Sequence, residues 1–146
     1  MADIKIIVDS GSDIPQDIAD KYNIGVISFL SIFGTEQYVQ RTEITNEQFF
    51  DKLEEYDGIP TTSQTPFGDM LDYFKQQCEE HESVIYFALS SAASGQYQTA
   101  NLVKSEIEEE NPNADFHIVD TQKFSLYIAQ TAVHAAQRTA KALTRL

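Results

Sequence analysis

The chain has 146 residues, 42% of them hydrophobic and 23% charged, with one cysteine and no tryptophan. Those proportions suit an ordinary globular domain with a real core and exclude disordered, collagenous and coiled-coil readings. Acidic residues outnumber basic ones 23 to 10, and the resulting charge of −13 argues against nucleic-acid and membrane-surface binding, because it repels phosphates and anionic headgroups.

Cys78 stands alone, so no disulfide can form within the chain, which fits a reducing compartment. The opening Met1-Ala2-Asp3-Ile4-Lys5 lacks the basic region and long apolar run of a secretory signal. The most apolar segment, Gly25 to Phe33, is interrupted by Ser28 and Ser31 and is too short to span a bilayer. The expected location is the cytoplasm, without membrane insertion.

In chain order, Ile4 to Val8 is a nearly continuous β-branched run that reads as a buried strand. It ends at the turn-rich Asp9-Ser10-Gly11-Ser12-Asp13. Pro15 then opens a helix, with Ser12 or Asp13 as its cap and Ile18, Ala19 and Tyr22 at helical spacing. Val26 to Phe33 reads as a second strand, and Thr35 to Arg41 as one arm of a surface hairpin after a turn at Gly34. Thr45 and Gln48 form a capping box for a helix with Phe49, Phe50 and Leu53 on its apolar face, stopped by Gly58 and Pro60. Thr61-Thr62-Ser63-Gln64-Thr65 reads as an uncharged loop, after which Pro66 opens a helix bearing Phe67, Met70, Leu71 and Phe74. Val84 to Leu89 is a third strand, followed at once by Ser90-Ser91-Ala92-Ala93-Ser94-Gly95. Helix then runs to Glu110 and breaks at Asn111-Pro112-Asn113, before a strand from Phe116 to Val119 that ends at Asp120. Lys123 to Leu143 is a long, Ala-rich helical pattern. Strands apolar on both faces, alternating with helices, predict one α/β domain over residues 1–146, with a mostly parallel sheet flanked by helices on both faces.

Ligands of an open α/β sheet bind beyond the carboxyl ends of its strands, so four segments are of interest. They are Asp9 to Asp13, Thr61 to Gln64, Ser90 to Gly95, and Asp120 to Gln122. Ser90 to Gly95 is the sharpest, since hydroxyls and a glycine at a strand-to-helix junction expose backbone N–H groups suited to an anionic oxygen. Alone, it is better explained as ordinary capping. Paired with Thr61 to Gln64, it offers a carboxylate or phosphate a grip made of neutral donors.

Other chemistries lack their signatures. There is no Gly-x-x-x-x-Gly-Lys loop and no Gly-x-Gly-x-x-Gly fingerprint, so a nucleotide has no phosphate cradle. Ser94-Gly95 does not belong to a Gly-x-Ser-x-Gly elbow, which weakens a hydrolase reading. His81, His117 and His134 show no metal-ligand spacing, so no metal is expected. Asp9 and Asp13 read as a turn and a cap, and Cys78 as an inert thiol without a nearby cation.

Several strings together resemble the N-terminal domain of the DegV family. They are Ile4-Lys5-Ile6-Ile7-Val8-Asp9-Ser10 with Asp13 and Ile14, Tyr22-Asn23-Ile24, Ile59-Pro60-Thr61-Thr62-Ser63-Gln64, Leu89-Ser90-Ser91 with Ser94-Gly95 and Tyr97-Gln98, and Val119-Asp120-Thr121. The resemblance implies a non-catalytic fatty-acid-binding protein that presents its ligand to the ATP-binding subunit of a bacterial fatty acid kinase. It implies a long-chain fatty acid such as palmitate or oleate, no cofactor, and a carboxylate held by Thr61 or Thr62, Ser63, Ser91, Ser94 and the N–H of Gly95. Ile27, Phe29, Phe87, Leu89 and Phe124 are candidates for an apolar tunnel and equally for an ordinary core.

The chain departs from the family in two ways. Family members have a second domain, which is expected to be absent here. Relatives also carry a small-residue segment after the aspartate, where this chain has Lys123-Phe124-Ser125-Leu126-Tyr127-Ile128. An exposed apolar face would favour a homo-oligomer. The competing readings are a truncated protein-interaction module without a working lipid site and an enzyme for a small anionic substrate.

Overall fold

The computed structural model describes residues 3–143. Its first half contains β1 (Ile4–Asp9), α1 (Gln16–Lys21), β2 (Gly25–Ile27), β3 (Leu30–Phe33), β4 (Glu36–Val39) and α2 (Asn46–Glu55). The second half contains β5 (Thr61–Ser63), α3 (Phe67–Glu80), β6 (Ser83–Ala88), α4 (Gln96–Glu110), β7 (Phe116–Asp120) and α5 (Leu126–Leu143). Four strands pair in parallel in the order β2-β1-β6-β7, and a smaller antiparallel sheet has the order β4-β3-β5.

The double-sided apolar character of β1 explains the layering. Ile7 turns to one face and meets Met70, Phe74, Ala100 and Val103 of α3 and α4. Ile6 and Val8 turn to the other and meet Ala19 of α1 and Ile128, Ala129 and Ala132 of α5. This period-two alternation buries a parallel strand between two helical layers. Phe74 anchors the first layer, its ring 4.6 Å from that of Phe116 and 5.1 Å from that of Tyr86. Each such side chain, fully buried, contributes roughly 1.5–3 kcal/mol. The expected α/β architecture with helices on both faces is what the structure has.

Three elements differ from the sequence reading. Val26 to Phe33 is not one strand: it breaks at Ser28-Phe29 and passes from the parallel sheet into the antiparallel one. Side chains and a neighbouring strand end take up the backbone at the break. Thr65 Oγ1 donates to the Ser28 carbonyl at 2.8 Å, Ser10 Oγ accepts the Phe29 amide at 2.9 Å, and the Phe29 carbonyl accepts the Gln40 amide at 3.0 Å. Thr61 to Ser63 is not loop but edge strand β5, paired with β3. The last helix starts at Leu126 rather than Lys123, because Lys123 and Ser125 are tied elsewhere: the Lys123 carbonyl accepts the Ser90 amide at 3.2 Å, and the Ser125 amide donates to the Gly11 carbonyl at 3.0 Å.

Smaller readings also resolve. Thr45 and Gln48 form the expected capping box, and Gly34 turns β3 into β4 with φ of 62°. Neither Ser12 nor Asp13 caps α1, whose N-cap is Pro15. Asp13 adopts a left-handed conformation and closes a short 3-10 turn at Ser10–Ser12 instead. Asp9 is no turn residue; it is the fully buried end of β1. No helix among the described residues is long and apolar enough to cross a membrane.

Candidate functional site

The sheet order places β1 at the point where connections diverge to either side, so the gap beyond the ends of β1 and β6 is where a ligand cleft is expected. A cleft of about 560 Å³ lies there, with Ser10, Gly11, Leu89, Ser94 and Gly95 among its walls. Thr62, Ser63 and Gln64 close it from the small sheet, and Phe29 and Phe124 add apolar surface.

The two hydroxyl-bearing segments therefore meet, for identifiable local reasons. After β6 the chain folds into a tight turn, with the Ala93 and Ser94 amides donating to the Ser90 carbonyl at 3.0 and 3.2 Å. Ser94 Oγ accepts the Gln96 amide at 3.2 Å, which leaves its proton free to donate into the cleft. Facing it, the segment after β5 is held by Gln96, a fully buried amide on the first turn of α4. Gln96 Oε1 accepts the Thr65 amide at 3.0 Å, and its Nε2 donates to Thr65 Oγ1 at 3.0 Å. Gln64 Nε2 donates to Thr99 Oγ1 at 2.9 Å. Gly95 lets the Gln64 carboxamide come close: a side chain there would have to push that carboxamide aside.

Of the six residues expected at the site, Thr62, Ser63, Ser94 and Gly95 line this cleft. Thr61 does not. It pairs with Ile32 at the start of β5, so the choice between the adjacent threonines falls on Thr62 as the cleft residue. Ser91 is also outside, because Asp120 holds it: Ser91 Oγ donates to Oδ2 at 2.5 Å and its amide to Oδ1 at 3.1 Å. These bonds, with one from the Gln122 amide, draw the Asp120 carboxyl below its ordinary range. Among the apolar candidates, Phe29, Leu89 and Phe124 reach the cleft, whereas Ile27 and Phe87 pack in the core.

Sequence reasoning did not single out Gln40, Gln96 or Ser125, and it counted Gln64 only as the amide of its hydroxyl segment. Ser10 Oγ donates to Gln40 Oε1 at 2.7 Å, and Gln40 Nε2 donates to Ser31 Oγ at 3.0 Å, locking the small sheet to the end of β1. Ser125 Oγ donates to Asp13 Oδ2 at 2.5 Å. Gln64 and Gln96 lie within or beside strings that attracted attention for their hydroxyls, so the usable signal was a buried-capable amide next to a hydroxyl segment.

The electrostatics are one-sided. Among the described residues that line the cleft there is no lysine, arginine, histidine or cysteine, and the one acidic side chain is Asp13. Beneath the floor, Asp9 Oδ2 accepts the Leu89 amide at 2.7 Å and the Tyr86 hydroxyl at 2.8 Å, while Oδ1 has no partner. Burial pushes the Asp9 carboxyl up to about 6, against the lowering effect of those two bonds and of a weaker approach by the Gly11 amide. Elsewhere, burial pushes the Cys78 thiol up to about 11, which leaves it a poor nucleophile at neutral pH. Among the described residues no cluster of His, Cys, Asp and Glu could hold a metal.

The fold is thus that of a doubly covered α/β sheet with a hydroxyl-lined cleft at its switch point. The family model described as "Uncharacterised protein, DegV family" matches residues 3–142, and the chain belongs to the DegV family. A DegV domain-containing protein of Clostridium perfringens is 34% identical over 137 residues, covering 94% of this chain and 48% of the relative. Another from the same organism is 33% identical over 119 residues, covering 82% and 42%. Among solved structures, DegV of Bacillus subtilis, described as a fatty acid binding protein, matches with a TM-score of 0.88 at 25% identity, over 97% of this chain and 49% of that one. A Thermotoga maritima protein, described as revealing a fatty acid binding function, matches with a TM-score of 0.83 at 27% identity, over 97% and 50%. The chain thus spans about half the length of the relatives it matches.

Proposed function

We infer that this chain binds a long-chain fatty acid such as palmitate or oleate and carries it without chemical change. The observation that carries the reading is the meeting of Thr62, Ser63, Ser94 and Gly95 in one cleft. The fatty acid binding described for the Bacillus subtilis and Thermotoga maritima relatives supports it. The carboxyl end sits between the β5 and α4 segments, and the acyl chain runs across Phe124. A second, more apolar depression of about 660 Å³ begins there and shares Phe124 and Ser125 with the cleft. Phe124, Leu126 and Tyr127 stand exposed along it. Each methylene that leaves water contributes about 0.8 kcal/mol, so the chain supplies most of the affinity and the hydroxyls set its orientation. The accessible head group is then offered to an ATP-binding kinase subunit.

Organic extraction of the purified protein followed by mass spectrometry is expected to recover a fatty acid. Absence of any acid after extraction, together with no thermal shift on adding oleate or palmitate, would remove the reading. Ser94→Ala and Thr62→Ala are each expected to weaken palmitate binding about threefold to tenfold, the worth of one hydrogen bond. Unchanged affinity in both variants, measured by calorimetry, would move the head group elsewhere.

A further inference from the structure

Ser94 reaches the cleft from the turn that follows β6, and its neighbours give that turn little grip of their own. Ala92 and Ala93 carry only methyl groups, and Gly95 has no side chain. Within the turn, the Ala93 and Ser94 amides reach back to the Ser90 carbonyl. What ties it to its surroundings comes from the end of β7. Asp120, the last residue of that strand, stands opposite Ala88, the last of β6. Just beyond, Thr121 Oγ1 donates to the Ala88 carbonyl at 2.7 Å, and the Lys123 carbonyl accepts the Ser90 amide at 3.2 Å.

The Asp120 carboxylate adds a side-chain anchor. Its Oδ1 accepts the Ser91 amide at 3.1 Å and its Oδ2 the Ser91 hydroxyl at 2.5 Å, so both oxygens hold one residue. Oδ1 also accepts the Gln122 amide at 3.1 Å, which steadies the carboxylate against its own backbone, and Gln122 takes a left-handed φ of 54° there. A two-oxygen hold fixes direction as well as distance, whereas a single bond would leave Ser91 free to pivot. Bonds to a charged acceptor are also stronger than those between neutral groups. Ser91 gives its hydroxyl proton to Asp120 and has none for a ligand, yet it lies on the same turn as Ser94. A donor serves a ligand only when its support keeps it aimed, and a looseness of about 1 Å is enough to spoil a site.

We propose that Asp120 is a positioning residue of the cleft: by clamping Ser91 it aims the Ser94 hydroxyl at the ligand's carboxyl group. The proposal rests on the fatty-acid reading above and adds to it a residue that acts through another. Its signature is an energetic coupling between Asp120 and Ser94, although Asp120 bonds to Ser91 and not to Ser94. A residue that only supported the fold would weaken binding by the same factor whether or not position 94 carries a hydroxyl.

The test titrates palmitate, delivered from cyclodextrin, into the whole chain and its Asp120→Ala, Ser94→Ala and doubly substituted forms by calorimetry. Asp120→Ala is expected to weaken binding about fivefold in the parent and less than about twofold once Ser94 is alanine. Ser91→Ala, which keeps the carboxylate and its bond to the Gln122 amide, repeats the cycle from the other partner with a loss of about twofold to fivefold. Should Asp120→Ala fail to fold, Ser91→Ala decides alone. Asp120→Asn keeps an oxygen for the Ser91 amide and is expected to restore part of the affinity that alanine loses. An equal loss in both backgrounds, or no loss in the parent, would overturn the proposal and leave the fatty-acid reading standing. A parent chain that binds no palmitate would remove both.

Discussion

Replacing Gln96 by leucine is expected to cost about 2–3 kcal/mol of stability and to weaken fatty acid binding about tenfold. The side chain is fully buried, and its carboxamide is what fastens the segment after β5 to the start of α4. Leucine fills the space but leaves the Thr65 amide, itself buried, without an acceptor. An orphaned buried donor carries its full desolvation cost, which exceeds the net gain of a made hydrogen bond. The binding loss follows because Thr62 and Ser63 stand three and two residues before Thr65, and the Gln96 link ties that segment to the start of α4 beside Ser94. Urea unfolding of Gln96→Leu, Thr65→Val and the double variant separates the pair from its surroundings. The two costs are expected to be less than additive, with a coupling of about 1 kcal/mol. Strict additivity would mean that the amide acts through packing alone.

Gln96 also marks the limit of what the sequence discloses. The parallel sheet was legible because Ile4 to Val8 and Val84 to Leu89 are largely apolar on both faces, as a doubly covered strand requires. The hydroxyl segments were legible because ligands gather at strand ends, and Ser94 and Thr62 do share one cleft. The small sheet was less so. Its strands have three or four residues, and β5 is Thr-Thr-Ser, whose polar edge reads as loop by composition. The break at Ser28-Phe29 depends on partners at Ser10, Gln40 and Thr65, distant in sequence and without local signature. Asp9 misled for the opposite reason. Beside Ser10, Gly11 and Ser12 it looks like turn chemistry, yet the end of a central strand buries it.

That burial makes a pH dependence of the second large size. In the folded chain the Asp9 carboxyl is raised to about 6 from 3.8, chiefly by desolvation, and the side chain is fully buried. Between those two values the folded state holds a proton that the unfolded state has released. Stability therefore falls as pH rises through this window, by about 1.4 kcal/mol per unit and about 3 kcal/mol in all. The contribution is fully present below 3.8 and is lost once pH has passed through about 6. Glu36, Asp115 and Asp120, exposed carboxyls lowered by hydrogen bonds, act in the opposite direction in the parent chain. Subtraction isolates the contribution of Asp9. Asp9→Asn keeps an oxygen for the Leu89 amide and the Tyr86 hydroxyl but cannot ionise. Its stability relative to the parent is expected to rise by about 2.5 kcal/mol between pH 4 and pH 8, with the change centred near pH 5. Parallel unfolding profiles for the two proteins across that range would show that Asp9 titrates as an ordinary carboxylate. A sloping difference would mean that the floor of the cleft carries a costly charge at neutral pH. The return on that charge is then the tie it makes between the ends of β1 and β6, where the cleft opens.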